Sequence, residues 1–203
     1  EPMRAELEAG DPLLRASKER LVALLRALDE EGRAGRATAA GVGPAQIEAV
    51  GGLIEAHSGR DAWEVYDGAR ARFAAAIEGD PSLEEAYQAW AEAAVACANL
   101  EDAIAACTRG HEADRGYVPF LLVRGRSHLT IGLERFVRGE DSRAPMEAAA
   151  ADFGALVALA PNHAAGWAGR GCARMNLGVA AFLRGGDAAE LYRGAVADLD
   201  RAL

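Results

Sequence analysis

The chain has 203 residues, of which 51 % are hydrophobic and 26 % are charged, a balance typical of a soluble folded protein. Its formal net charge of −9 repels phosphate backbones, which argues against nucleic acid as a partner. No uncharged apolar run reaches the roughly eighteen residues that a membrane-spanning helix needs, and no signal peptide is evident, so we expect a cytoplasmic protein that does not bind membranes.

Alanine supplies much of the hydrophobic fraction, and no segment alternates apolar and polar residues for long enough to indicate a strand. Because alanine is the best helix former, we expect an all-α protein. Cys97, Cys107 and Cys172 are odd in number and lack metal-ligand spacing. They are interpreted as small buried residues of a protein in a reducing compartment.

The first 43 residues predict one long helix and a loop. Asp11 and Pro12 supply an N-cap and a first-turn proline, and a leucine-rich stripe at helical spacing runs from there to Gly32. The Gly- and Ala-rich segment 32–43 has no apolar periodicity and predicts a mobile connection.

Residues 44–115 contain four segments with apolar side chains at helical spacing. The segments begin at Pro44, Asp61, Ser82 and Asn99. Asp61 and Ser82 are each followed three residues later by Glu, which is the spacing of a capping box. Four helices are therefore predicted here.

The segment that begins at Arg124 is repeated 46 residues later from Arg170. RGRSHLTIGLERFVRGED and RGCARMNLGVAAFLRGGD align without a gap, and the match continues to Asp152 and Asp198. A repeat of this length cannot bury its apolar face alone, so its copies are expected to stack into a solenoid. Each copy predicts a long helix, a corner and a second helix, with Asp141 and Asp187 as the N-caps of the second helices.

The residues around Phe73 then resemble the tetratricopeptide repeat (TPR) family, whose repeat has about 34 residues. Ala69, Phe73, Ala76 and Pro81 reproduce the second half of that pattern. In the following units Tyr87, Leu121 and Trp167 occupy the first large position, and small residues occupy the position where two helices cross: Ala91, Gly125 and Gly171. His57 departs from the pattern at this small position, Arg115 replaces a closing proline, and the last two units carry about twelve extra residues.

The resemblance implies a right-handed α-solenoid of four helix pairs preceded by an extra helix. Its units would be 44–81, 82–115, 116–161 and 162–203, and residues 1–43 would hold the N-terminal helix and the loop. In TPR proteins the first helix of each pair lines a concave groove. The positions carried over to that lining are Ile54, Ser58, Gln88, Glu92, Val95, Leu122, Arg126, Leu129, Ala168, Cys172, Met175 and Asn176.

The resemblance implies a non-catalytic scaffold that binds a peptide or protein partner in this groove. The alternative is a regulatory tail of a larger enzyme, because the extended units look like arrays appended to bacterial Ser/Thr signalling kinases. We expect the chain to be a piece of a longer protein. The N-terminal helix has three possible roles: capping the first repeat, which is favoured because an open array end exposes apolar surface, filling the groove, or mediating dimerisation.

No catalytic, cofactor or metal site is predicted. The four histidines are scattered, and no pair has zinc-ligand spacing. Cys107 lies four residues before His111 on a predicted helix, but Cys107 occupies a position that TPR proteins bury. Glycines 125, 132 and 139 are spaced by seven, unlike a phosphate-binding loop. The arginines between 124 and 143 are interleaved with acidic residues and are interpreted as a solvated mixed face.

Overall fold

The computed structural model describes residues 61–203. Predictions for residues 1–60, including the N-terminal helix, the loop and the helix at Pro44, lie outside the described residues. Within 61–203 the chain forms seven helices and no strand, which confirms the all-α prediction for this part. The helices are α1 (Asp61–Gly79), α2 (Glu84–Ala96), α3 (Leu100–Ala113), α4 (Val118–Val137), α5 (Arg143–Leu159), α6 (Ala164–Leu183) and α7 (Ala189–Ala202).

The chain divides into two compact units between Gly79 and Asp80. The described part of the first unit is α1, a 19-residue helix. Its Tyr66, Phe73 and Ile77 side chains are buried, and they belong to the apolar stripe that the sequence predicts.

In the second unit each helix packs on the next along the chain, from α2 to α7. Contacts also join α2 to α4 and α4 to α6. Two clusters of buried apolar side chains lie between α4, α5 and α6. One contains Leu121, Leu156, Val157 and Trp167, and the other Ala149, Phe153 and Ala173.

Glycine brings the two helices of each 46-residue unit close together. A methyl group at Gly125 of α4 would lie 3.1 Å from Cζ of Phe153 on α5. At the equivalent place, a methyl group at Gly171 of α6 would lie 2.9 Å from Cγ of Leu199 on α7. The same close approach recurs at the next glycines: Gly132 against Met146, and Gly178 against Tyr192. Gly125 and Gly171 therefore lie at helix crossings, as the sequence predicts, and Gly132 and Gly178 lie at a second crossing seven residues later.

The corners of both 46-residue units turn at a glycine in the left-handed region. Gly139 has φ +73° and Gly185 has φ +76°, which disfavours any residue with a Cβ. The backbone N–H of Gly139 donates to the carbonyl of Phe136, and that of Glu140 to the carbonyl of Arg135. This is the Schellman arrangement, which satisfies the last carbonyls of α4.

Three helix starts differ from the sequence prediction. Ser82 does not cap α2, because its backbone N–H and hydroxyl both donate to Oδ1 of Asp80, at 3.0 and 2.7 Å. The N-cap is Leu83, without a side-chain hydrogen bond. Asp141 and Asp187 lie one residue before the N-caps of α5 and α7 and accept from the first helical N–H groups. By contrast, Asn99 caps α3 as its position predicts.

Candidate functional site

The candidate site is the row of helices α2, α4 and α6, which contact one another in sequence order. Ile54 and Ser58 lie outside the described residues. The other predicted lining positions all fall on these three helices, in matching registers. The three registers are Gln88, Leu122 and Ala168; then Glu92, Arg126 and Cys172; then Val95, Leu129 and Met175, with Asn176 beside the last.

These positions differ in exposure, so they do not contribute equally to a surface. Glu92 and Arg126 are exposed, and the apolar side chains of Val95 and Met175 retain 43 % and 42 % of their accessible surface. Gln88, Ala168, Cys172 and Asn176 are partly buried. The row therefore presents apolar and charged groups side by side.

Leu122 and Leu129 contribute more to the hydrophobic core than to the exposed surface. Both are partly buried, and Leu122 packs against both of the buried clusters between α4, α5 and α6. Leu129 packs against the cluster around Phe153. The sequence alone does not distinguish these two leucines from the exposed lining residues, because buried and exposed residues lie on the same side of the helix.

One end of the row is polar and organised by Tyr117, a residue that no sequence motif indicates. The Tyr117 hydroxyl donates to Oε1 of Gln88, and Nε2 of Gln88 donates to Oε1 of Glu92 at 2.8 Å. Burial raises the pKa of Tyr117, and the nearby Glu84, Glu85 and Glu92 raise it further. The hydroxyl thus stays protonated and holds the Gln88 amide in a fixed orientation.

Arg126 gives the middle of the row a positive charge. Its side chain is exposed and forms no ion pair within residues 61–203, while its backbone carbonyl accepts from the Thr130 hydroxyl at 3.0 Å. A guanidinium in this state can pair with a carboxylate of a bound partner without breaking an existing contact.

Behind the row, Arg124 binds Asp152 across the α4–α5 crossing. Nη2 and Nε of Arg124 donate to the carboxylate at 2.6 and 3.0 Å, and Nη1 donates to the Thr108 hydroxyl at 3.2 Å. Nε2 of His128 lies 4.0 Å from the same carboxylate. Arg124 keeps only 16 % of its side chain exposed. The interpretation of the arginines between 124 and 143 as a solvated face is therefore wrong for Arg124.

The second 46-residue unit repeats this arrangement. Arg170 donates to both oxygens of Asp198, at 2.6 and 2.8 Å, and Nη1 of Arg174 donates at 2.7 Å. Arg174 occupies the position that His128 holds in the first unit. These charges orient the first helix of each unit on the second, and so fix the direction in which the row of exposed residues faces.

The pair Cys107 and His111 lacks the properties of a nucleophile and its base. Burial raises the pKa of the Cys107 thiol to about 12, so the thiolate is scarce near neutral pH. Burial also lowers the pKa of His111, with Arg124 acting in the same direction. Nδ1 of His111 is buried without a hydrogen-bond partner.

Among residues 61–203, no three His, Cys, Asp or Glu side chains come together as a metal-binding group. None of the helices in the same range combines the length and apolar character that crossing a membrane requires.

No family model matches the chain, and no curated protein is significantly similar to it.

Proposed function

We propose that the chain is a non-catalytic protein-interaction scaffold that binds an extended segment of a partner protein along α2, α4 and α6. In this proposal the six helices of the second unit form TPR-like pairs of a right-handed solenoid. The first helices of the pairs line its concave side.

The observation that carries the proposal is the contact of α2 with α4 and of α4 with α6. When alternate helices of an array approach one another, the array curves toward them, and their exposed side chains converge on one surface. The exposed groups on these helices include Glu92, Val95, Arg126 and Met175. A groove of this kind binds by burying apolar side chains, with a few charged groups to fix the register.

The charges define the partner segment. Arg126 favours a carboxylate side chain opposite α4, and Glu92 favours a basic side chain opposite α2. Met175 and Val95 favour apolar side chains, and methionine adapts to differently shaped partners. We therefore expect a peptide in which acidic, basic and apolar residues occupy set positions.

A selection from a random peptide library tests the proposal. Peptides selected on the wild-type chain should share an acidic residue, and Arg126→Glu should weaken their binding by about tenfold or more, because it sets like charges together. Arg193→Glu is the matched control, since it makes the same charge change at an exposed arginine of α7. The proposal is wrong if the two variants bind the selected peptides equally well.

A further inference from the structure

Beyond Arg126, the exposed side of α4 continues as an apolar strip. In the register that α2 and α4 share, α2 ends opposite Thr130, whereas α4 runs on to Val137. Leu133 retains 40 % of its accessible surface and Val137 retains 83 %. Helices α5, α6 and α7 follow Val137 in the second unit, and none of them covers it.

The end of α6 widens this strip. Nη2 of Arg184 donates to Oδ1 of Asp141 at 2.6 Å, which joins the corner after α6 to the corner after α4. Leu183 repeats Val137 at the 46-residue offset and retains 67 % of its accessible surface. Both 46-residue units thus place an exposed apolar residue at the end of their first helix. Neighbouring exposed apolar side chains mark an interaction surface.

Two charges lie at the two ends of the strip on α4. Arg126 precedes the strip, and Glu140 follows it in the corner just beyond the helix. Both residues are exposed, and neither forms an ion pair within residues 61–203. By contrast, Glu134 between them is bound by Arg138 at 3.2 Å. The strip is therefore positive at one end and negative at the other.

The order of residues along the strip is symmetric about its centre, except that the charges at its ends are opposite. The strip consists of Arg126, Leu129, Leu133, Val137 and Glu140, spaced by 3, 4, 4 and 3 residues. The first four lie on one side of α4, and Glu140 continues the spacing into the corner. When a second copy of α4 lies antiparallel with Leu133 opposite Leu133, Val137 faces Leu129 of the other copy. Arg126 then faces Glu140, whereas a parallel arrangement would bring like charges together.

We infer that this strip is the interface between two copies of the chain, which pack their α4 helices antiparallel about a two-fold axis at Leu133. Leucine and valine side chains are buried at the centre of the interface, and a pair of Arg126 and Glu140 closes each end. Because the strip is short, the interface is small, and the dimer forms at micromolar concentrations and exchanges with the monomer.

Analytical ultracentrifugation of the 203-residue chain at concentrations up to about 100 µM measures the dissociation constant of the dimer. Arg126→Glu and Glu140→Arg should each raise this constant by about tenfold or more, because each sets like charges together at both ends of the interface. Combining the two substitutions exchanges the charges and should restore the wild-type constant. Glu112→Arg is the matched control, since it makes the same charge change at an exposed glutamate of α3.

The inference is overturned if the wild-type chain is a monomer throughout this range, or if it is a dimer that Glu140→Arg leaves intact, since another surface would then join the copies. It is also overturned if the double variant dissociates as readily as the single variants, because the charges would not face each other as described.

Arg126 also belongs to the row on α2, α4 and α6, so a second copy and a partner segment exclude one another. This consequence rests on the proposed function, whereas the dimer does not. Glu140 lies outside the row, so Glu140→Arg should bind library-selected peptides at least as tightly as the wild-type chain. A dimer that binds no peptide would contradict the proposed function alone, and a monomer that binds peptide would contradict this inference alone.

Discussion

At the residue scale, single glycines decide how closely the helices approach. Gly171 lies where α6 crosses α7, and a methyl group there would meet both a side chain and a backbone carbonyl, that of Ala195 at 3.2 Å. A side chain can rotate away at modest cost, but a helical carbonyl cannot move without shifting the helix. The close crossing therefore depends on the absence of a Cβ.

Gly171→Ala should lower the free energy of unfolding by about 1–3 kcal/mol through overpacking. Gly154→Ala is the matched control in α5, because its methyl group would lie 3.8 Å from Cδ of Arg170, an ordinary contact. The better helix propensity of alanine should make that variant neutral or more stable by up to about 1 kcal/mol. Urea unfolding measures both values. Equal effects of the two substitutions would contradict the crossing described for Gly171.

His128 should make stability depend on pH. Burial lowers the pKa of His128, and Arg124 lowers it further, although Asp152 acts in the opposite direction. In the unfolded chain the pKa is about 6.5, so below that pH the unfolded state binds protons that the folded state does not. The unfolding free energy should therefore be highest above pH 6.5 and fall as the pH is lowered toward the folded pKa.

Urea unfolding between pH 7.5 and 5 checks this dependence, and His128→Gln should make it less steep. His111, whose pKa is also lowered, should contribute in the same direction and account for part of the remaining slope. If the unfolding free energy of the wild-type chain rose as the pH fell below 6.5, the fold would favour protonated His128 over neutral His128.

At the element scale, buried charges fix each first helix on its partner. Asp198 retains 3 % of its side-chain surface and binds Arg170 and Arg174 of α6. Removing its charge leaves two partly buried guanidinium groups without their carboxylate, which is costlier than losing an exposed pair. Asp198→Asn should lower the unfolding free energy by about 3 kcal/mol.

The exposed pair of Arg143 and Glu147 on α5 provides the comparison. Its side chains retain 64 % and 53 % of their surface, so Glu147→Gln should cost less than about 0.5 kcal/mol. Thermal or urea unfolding of both variants separates the two cases. If Asp198→Asn is as mild as Glu147→Gln, the Asp198 network does not hold α6 on α7.

The positions of the helices could be predicted from the sequence, because apolar spacing and Gly, Pro and Asn breaks are local signals. The caps were predicted less well. Asp80 competes for the Ser82 hydroxyl, and Asp141 acts one residue earlier than expected. Neither effect follows from spacing alone.

The ion pairs between residues distant in the chain could not be predicted from the sequence. Arg124 and Asp152 are matched by Arg170 and Asp198 in the repeat, yet their 28-residue separation gives no sign that they bind each other. Interleaved charges look the same whether they face solvent or a neighbouring helix. For the candidate site, the helices that carry the predicted positions could be anticipated from the repeat, but the burial of Leu129 and the role of Tyr117 required the packed helices.

At the scale of the whole molecule, the second unit combines a repeated framework with variable surfaces. Glycine crossings, corners and Arg–Asp pairs recur at 46 residues, while the exposed groups change from Glu92 on α2 to Arg126 on α4 and Met175 on α6. Conserving the framework keeps the helices in register, and changing the exposed positions gives the row its own pattern of charge. The proposed function depends on that row as the working surface of the unit.

An NMR titration of the ¹⁵N-labelled chain with a library-selected peptide tests this claim most directly. The shifted amides should lie on α2, α4 and α6, around Glu92, Arg126 and Met175, and Arg126→Glu should reduce the shifts. Shifts confined to α3, α5 and α7, or shifts that Arg126→Glu leaves unchanged, would contradict it.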